Sequence, residues 1–284
     1  MHAHGDEDDA IEFKTPAQFA LMREAGLVVA RTLALLREAV RPGITTGELD
    51  SLAEESIRSQ GAVPSFLGYH GFPGSICASV NDEIVHGIPG ARVLAEGDLI
   101  SIDCGAIIPD DTAQVASGRF DTKGWHGDAA ISVPVGEIAP DLAELSRVTE
   151  QSMWAGIAAV KDGAMLNDIG TAVDAYTRSQ GRFGIIREYG GHGIGSAMHM
   201  GPMVFNYPVR GEHLVLKTGM AIAIEPMLTL GKHKTRLMPD DWTVKTKDGS
   251  GAAHWEHTVA LTEEGIVVTT ALDGGASILG TVAG

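Results

Sequence analysis

The 284-residue chain contains only two cysteines, Cys77 and Cys104. Two cysteines cannot make a disulfide framework in a chain of this length, and they read as buried thiols in a reducing compartment. Long hydrophobic runs are also missing. No apolar stretch reaches the roughly 18 residues of a membrane-spanning helix, so no membrane association is expected. The opening MHAHGDEDDA has neither the basic nor the apolar region of a secretory signal, so a cytoplasmic location is expected. Positive charge is scarce. Lys and Arg number 21 against 37 Asp and Glu, a formal net charge of −16. No Lys/Arg cluster stands out, so no direct nucleic-acid site is expected. Carboxylates are plentiful, and metals need carboxylates. The hydrophobic fraction of 44% suits a folded domain with a sizeable core.

Residues 1–10 are polar and acidic, carry His2 and His4, and read as a disordered tail; a metal site there would need ligands fixed in space. Thr15-Pro16 reads as a helix N-cap and first-turn proline. Phe19, Met22, Ala25, Val28, Val29, Leu33, Leu36 and Val40 then recur at three- and four-residue steps, the period of an amphipathic helix. Pro42-Gly43 stops it. TTGELDSLAEESIRSQG reads as a second helix ending at Gly61,.

Two fragments return further along. AVRPG at 39–43 reappears as AVKDG at 159–163, and RSQG at 58–61 reappears at 178–181. The shared offset predicts a diverged duplication: one domain over 11–284, with halves of roughly 11–135 and 136–275, each a helix pair followed by strands. A single long repeat suggests two halves around one centre rather than a solenoid.

Five segments read as strands: DLISIDCGAII (98–108), DAAISVPVG (128–136), GMAIAIEPML (219–228), HWEHTVALT (254–262) and GIVVTT (265–270),. With the helices they predict an α+β fold. Carboxylates interrupt four of them, as Asp103, Asp128, Glu225 and Glu256. An ionised carboxylate in an apolar strand is expensive unless paired or bound to a metal. These strands carry no Lys or Arg, so one divalent ion, or better two, would neutralise the set.

One histidine sits among four glycines in EYGGHGIG, Glu188 to Gly195. The spacing is not the dinucleotide pattern, because Ser196 stands where the third glycine belongs. Apolar flanks argue against a linker. The glycines are expected to allow close backbone approach and unusual angles, and to present His192 as a ligand. An imidazole added to four carboxylates suits Mn, Fe, Co or Zn. His86 and His199 are further candidates. His126 and His257, beside Asp128 and Glu256, are expected at most to support the ligands, turned away by strand alternation.

LGYHGFPGSICASVNDEIVHGIP, GDLISIDCG, GWHGDAAISV, GGHGIG with its following His, GMAIAIEPM and WTVKTKDGSGAAHWEHT occur in this order over roughly residues 11–275. Together they resemble the type I methionine aminopeptidases, enzymes of the pita-bread fold. The resemblance implies two pseudo-symmetric halves of helices packed on a curved antiparallel sheet. It implies five metal ligands, Asp103, Asp128, His192, Glu225 and Glu256, with Asp128 and Glu256 bridging two divalent ions (Co, Mn, Fe or Zn). It puts His86 and His199 against the substrate, and Tyr69, His70, Phe72, Cys77 and Trp242 around the methionine pocket. The sequence departs from the family in three places. Residues 109–123 form an apparent insertion in a hairpin that is usually short, read as a longer solvated tip. Met198 stands where Phe is frequent, and Phe66 where some members have Cys. The residues before the domain lack cysteine, so no zinc ribbon is expected there, as in short bacterial-type members.

The implied activity is removal of the initiator methionine from nascent proteins whose second residue is small, by a dinuclear metal-activated hydroxide. Glu225 is the expected general base, His199 the donor to the developing oxyanion, and His86 the contact to the scissile amide nitrogen. Nascent N-termini are the expected partners, with the ribosome as their source, and a monomer suffices. By the small-residue rule the chain keeps its own Met1, because His2 is large. Two rivals share the fold: an X-Pro aminopeptidase or prolidase, and a non-catalytic binding protein.

Overall fold

In a computed structural model the described residues are 11–280; the expected tail, with His2 and His4, lies outside them. Helices α1 (Pro16–Ala39) and α2 (Thr46–Ser59) come first. Strands β1 (Val63–Pro64), β2 (Ile76–Val80), β3 (Glu83–Val85), β4 (Leu99–Pro109) and β5 (Gly124–Pro134) follow. Helices α3 (Pro140–Ala158) and α4 (Leu166–Gln180) open the second run. It continues with β6 (Gly184–Ile185), β7 (Gly191–Gly193), β8 (Met200–Val204), β9 (Ala221–Ile224) and β10 (Met227–Thr229). Strands β11 (Thr235–Leu237), β12 (Val244–Thr246), β13 (Ala252–His254), β14 (Glu256–Thr262) and β15 (Gly265–Val268) precede a last turn of helix, α5 (Ala276–Leu279). None of the described helices is long and apolar enough to cross a membrane.

Helix α1 starts where the sequence predicts. Thr15 and Gln18 form a capping box in which each side chain accepts from the other's backbone N–H, at 3.4 and 2.7 Å, and Pro16 needs no donor there. The helix ends at Ala39, ahead of Pro42, which cannot continue it. Its buried stripe is Met22, Ala25, Val28, Val29, Leu33 and Leu36. Each large member contributes about 1.5–3 kcal/mol on burial, and truncating Leu36 to Ala would cost about 2–5 kcal/mol.

The turns joining the two helix pairs share their chemistry. Gly43 and Gly163 both have positive φ, 92° and 80°. Gly43 N–H donates to the Leu94 carbonyl at 2.8 Å, and Gly163 N–H to the Leu216 carbonyl at 2.9 Å. Leu94 and Leu216 each return a bond of 2.8 Å, to Ile44 and Ala164.

Nine strands form the main sheet, in the order β1-β4-β5-β14-β9-β7-β8, with β2 also on β4 and β15 also on β14. Every pairing is antiparallel. Two three-stranded sheets flank it, β13-β10-β6 and β11-β12-β3. Ile102, Cys104 and Ala106 of β4 and Ala129 and Ile131 of β5 join the helix residues in one core. Helix α1 crosses so near to β5 that a Cβ on Gly127 would come 2.7 Å from the Gly26 nitrogen. Side chains of the opposite parity face away from the helices.

Two expected strands prove to be broken. The 219–228 segment splits at Glu225-Pro226 into β9 of the main sheet and β10 of a flanking sheet. The 254–262 segment splits at Trp255 into β13 and β14, again between two sheets. Pro226 has no N–H for a ladder. The basic residues also differ from expectation. Arg236 faces Lys245 across β11 and β12, and the Lys247 N–H bonds the Lys234 carbonyl at 2.8 Å. This ribbon gathers cations that look scattered in the sequence.

Candidate metal centre

Strand register builds the site. Asp103 of β4 lies opposite Cys77 of β2 on one side and Ala130 of β5 on the other. Ala130 lies opposite Glu256, the first residue of β14. Opposed residues in an antiparallel ladder point to the same face. Asp128, two residues before Ala130, joins them by strand alternation. Further across, Thr258 lies opposite Ala223 of β9, and Glu225 follows Ala223 by two residues. Gly193 pairs with Ile222, so its neighbour His192 takes the parity of Ala223. Five adjacent strands thus deliver five groups to the face that the helices leave uncovered.

Two of the glycines around His192 serve close approach. A Cβ on Gly191 would collide with the Ala223 carbonyl, and one on Gly193 with the Gly201 carbonyl. The expected unusual angles are absent: none of Gly190, Gly191, Gly193 and Gly195 has positive φ. Space between β9 and β8 sets the requirement. The His192 Nδ1 lies 2.9 Å from the Gly193 carbonyl, which can only accept, so Nδ1 carries the proton. Burial lowers the His192 pKa to about 4, and the ring is neutral. Its Nε2 lone pair then faces Glu225 Oε1 at 3.5 Å.

Burial is the first cause of the raised pKa at every carboxylate. Asp103 is pushed up to about 7, against hydrogen bonds from Asp128 and the Cys104 backbone that lower it. Asp128 is raised by burial and then by Glu256 and Asp103; Glu225 by burial and then by Asp103 and Asp128. Glu256 is raised by burial and then by Glu225 and Asp103. Asp103 Oδ1, Asp128 Oδ1 and Glu256 Oε1 are buried without a hydrogen-bond partner. Among the described residues no Lys or Arg pairs with any of the four. Four converging acids, orphaned oxygens and a neutral imidazole lone pair fit divalent cations and fit little else.

Ligand atoms of Asp128, His192 and Glu256 lie within 4.8 Å of one another, as do those of Glu225, His254 and Glu256. Glu256 is common to both groups. Asp103 belongs to neither and meets Asp128 directly. His254 is a member that sequence reading missed. Its Nε2 lies 3.7 Å from Glu256 and 3.9 Å from Glu225 and has no hydrogen-bond partner. The two-residue step to Glu256 was the available signal. Where β13 leaves the main sheet, Ser101 and Ser132 take over for the lost ladder. The His254 N–H lies 3.2 and 3.1 Å from their hydroxyls, and Ser132 donates to the His254 carbonyl at 2.9 Å.

Of the two histidines expected to turn away, His126 does not. His126 is two residues from Asp128 and shares its face; its Nδ1 lies 3.1 Å from Ser65 Oγ, and His192 helps to lower its pKa. Only His257 turns away, to Thr270 at 2.8 Å and to Trp154 of α3 at 5.1 Å between rings.

Phe66, Phe72, Cys77 and Met198 form one buried apolar cluster, with Tyr69, Ile88 and Trp242 packed against it. His70 stays exposed, its ring 4.4 Å from the Tyr69 ring. His86 has positive φ, 59°. Its ring lies 5.8 Å from Tyr189 and 6.3 Å from Trp242, edge to face, and burial lowers its pKa to about 4. Tyr189 carried no sequence signal beyond its place before the glycines. The His199 ring meets the His192 ring edge-on at 4.3 Å, and its Nδ1 lies 2.7 Å from the Tyr69 hydroxyl.

Comparison with known proteins agrees with this geometry. The chain is 49% identical to methionine aminopeptidase 1 of Mycobacterium tuberculosis over 263 residues, covering 90% of this chain and 94% of the relative. The crystal structure of methionine aminopeptidase from Rickettsia prowazekii superposes with a TM-score of 0.84 at 37% identity, over 92% of this chain and all of that one. A prolidase from Pyrococcus furiosus reaches 0.67 at 19% identity, over 91% of this chain and 65% of its own, a likeness of fold alone. Residues 20–263 match the description of metallopeptidase family M24. With relatives this close along nearly the whole chain, the protein is a metal-dependent hydrolase of metallopeptidase family M24, on its methionine aminopeptidase side.

Proposed function

We propose that this enzyme removes the initiator methionine from nascent polypeptides whose second residue is small. One observation carries the reading: Cys77 lines the apolar cluster and is also the register partner of Asp103. The apolar lining for a methionine pocket therefore stands beside the carboxylate centre. A thioether would fill it, and the scissile bond would fall over the acids. A bulky second residue would meet the crowded histidines.

Asp103, Asp128, His192, Glu225 and Glu256 would hold two divalent ions, with His254 beside Glu225 and Glu256. When bound, such ions would neutralise the acids and lower the pKa of a bound water towards about 7. Glu225 would take the proton of the attacking water. With the Tyr69 hydroxyl donating to Nδ1 of His199, 2.7 Å away, Nε2–H would be the donor to the carbonyl oxygen as it becomes negative. His86, kept neutral, would contact the scissile amide nitrogen. Phe72 and Trp242, 5.1 Å apart edge to face, would grip the methionine side chain. The repeated helix pairs and their matching turns support one domain built of two related halves.

The test is hydrolysis of Met-Ala-Ser, Met-Lys-Ser and Ala-Pro-Ala by apo-protein refilled in turn with Co, Mn, Fe and Zn. Metal-dependent methionine release from the first peptide alone is expected, and the metals are ranked by rate. Cleavage of the proline peptide instead moves the chain to the X-Pro branch. Two ions bound with no release at all would make it a non-catalytic relative.

A further inference from the structure

We propose that the inserted residues 109–123 are a positioning element, in which Phe120 fixes Tyr69 and thereby orients His199; this rests on the role read for His199 above. The insertion is largely exposed, as its sequence suggests, but it is tied down at several points. The β4–β5 ladder is extended by a bond from the Asp110 N–H to the Lys123 carbonyl at 2.9 Å. Arg58 of α2 reaches across to clamp the segment, donating to the Val115 carbonyl at 2.6 Å and the Gly118 carbonyl at 3.3 Å. Gly118 N–H closes an internal turn on the Gln114 carbonyl at 2.6 Å, and Thr122 is buried.

So anchored, the segment leans on the loop that carries Tyr69. Phe120 N–H donates to the Leu67 carbonyl at 3.3 Å. The Phe120 ring meets the Tyr69 ring edge to face, 5.6 Å between centroids at 87°. Beyond Tyr69 comes His199, with 2.7 Å from hydroxyl to Nδ1 and 5.2 Å between rings. His199 in turn meets His192 edge-on. The order is therefore Arg58 clamp, Phe120, Tyr69, His199, metal-ligand face. Tyr69 needs such a support. Its loop turns through positive φ at Gly68, His70 and Gly71, and its ring is only partly buried. An edge contact from a clamped phenyl restricts the ring and keeps its hydroxyl on Nδ1. That bond determines which nitrogen of His199 meets the substrate.

The experiment is steady-state hydrolysis of Met-Ala-Ser by the metal-loaded enzyme and its Phe120→Ala, Phe120→Tyr, Tyr69→Phe and doubly substituted variants. Phe120→Ala should lower kcat about tenfold, because a small misplacement of a reacting group is costly, while KM stays within about twofold. Phe120→Tyr should restore kcat. In the Tyr69→Phe background the Phe120→Ala change should cost less than about twofold, since residues acting through one bond are not additive. Unchanged kcat in Phe120→Ala, or an equal loss in both backgrounds, overturns the proposal. A second readout needs no catalysis. In apo-protein the ring proton resonances of His199 should move in Phe120→Ala and stay put in an Asp121→Asn control. Unmoved His199 resonances also overturn it. If unmodified enzyme releases no methionine, the functional reading fails, and the resonances alone decide the positioning role. If Phe120→Ala does not fold, Phe120→Leu keeps the bulk and loses the aromatic edge, and the same losses are expected of it.

Discussion

The two halves of the molecule share a helix pair and a turn, yet they contribute to the centre in different ways. The first half supplies Asp103 and Asp128 from β4 and β5, one continuous hairpin of two 11-residue strands in unbroken register. The second supplies His192, Glu225, His254 and Glu256 from strands of 3, 4, 3 and 7 residues. Glu225 follows the end of β9, and Glu256 opens β14 just after a break. A long ladder makes a floor whose acids cannot shift singly. A broken strand frees a carboxylate from the pleat and lets it turn toward a partner. The site therefore lies where the main and flanking sheets part. The helix ends differ as well. Thr15 and Thr45 close capping boxes at α1 and α2, whereas Ala139 at the start of α3 has no side-chain cap.

Changes in the broken half should test this contrast most severely. Glu225→Gln should lower turnover of Met-Ala-Ser by about 10²–10⁴ with the fold intact, the range for losing a general base. Turnover near that of the unmodified enzyme would return Glu225 to a plain ligand or structural role. His199→Ala should lower kcat by about 10²–10³, the range for one oxyanion donor, and leave circular dichroism unchanged.

Metal removal sharpens the comparison in the floor. Burial raises the folded-state pKa of Asp103 to about 7, and burial with mutual repulsion raises those of Asp128, Glu225 and Glu256. A raised carboxyl favours the fold while protonated. Its stabilisation is complete below the unfolded range near 4, and it is lost as pH rises through the folded pKa. Apo-protein should therefore lose on the order of 2 kcal/mol between pH 4 and pH 7 relative to metal-filled protein. Thermal melts of both forms across that window check it, and parallel curves would remove the acids from the stability balance.

The smallest effects lie at the helix starts. Thr45→Ala should cost about 1 kcal/mol, since Thr45 Oγ1 accepts from the Glu48 N–H at 3.1 Å,. Ala139→Asp should gain about 0.5–1 kcal/mol by adding the cap that α3 lacks. Urea midpoints measure both. Equal and opposite shifts would mean that the two helix pairs differ in their ends and not in their packing.

Much of this was legible in residues 98–136 and at the helix starts, where the informative interactions are local. Thr15-Pro16 and the three- and four-residue apolar steps describe α1 because caps and helical periodicity act within a few residues. The acids could be picked out because a charge in an apolar strand needs an explanation wherever the strand lies. The breaks at Pro226 and Trp255 were not legible, because leaving one sheet for another depends on the strands waiting on each side. His254 was missed for the same reason, its place held by Ser101 and Ser132 from strands over 100 residues away. The exposure of the insertion was legible, but not its contact, because Phe120 finds its partner in the loop of Tyr69, which is remote in sequence.

The sequence by itself determined the first two helices, the acids set in apolar strands and the family resemblance. Those follow from periodicity, capping and residue chemistry along the chain. Only the tertiary structure decided which face the acids share, that Glu256 belongs to both ligand groups, that His126 faces inward, and that Phe120 reaches Tyr69. Each of these depends on register between distant strands, where one residue of slip turns a side chain to the opposite face.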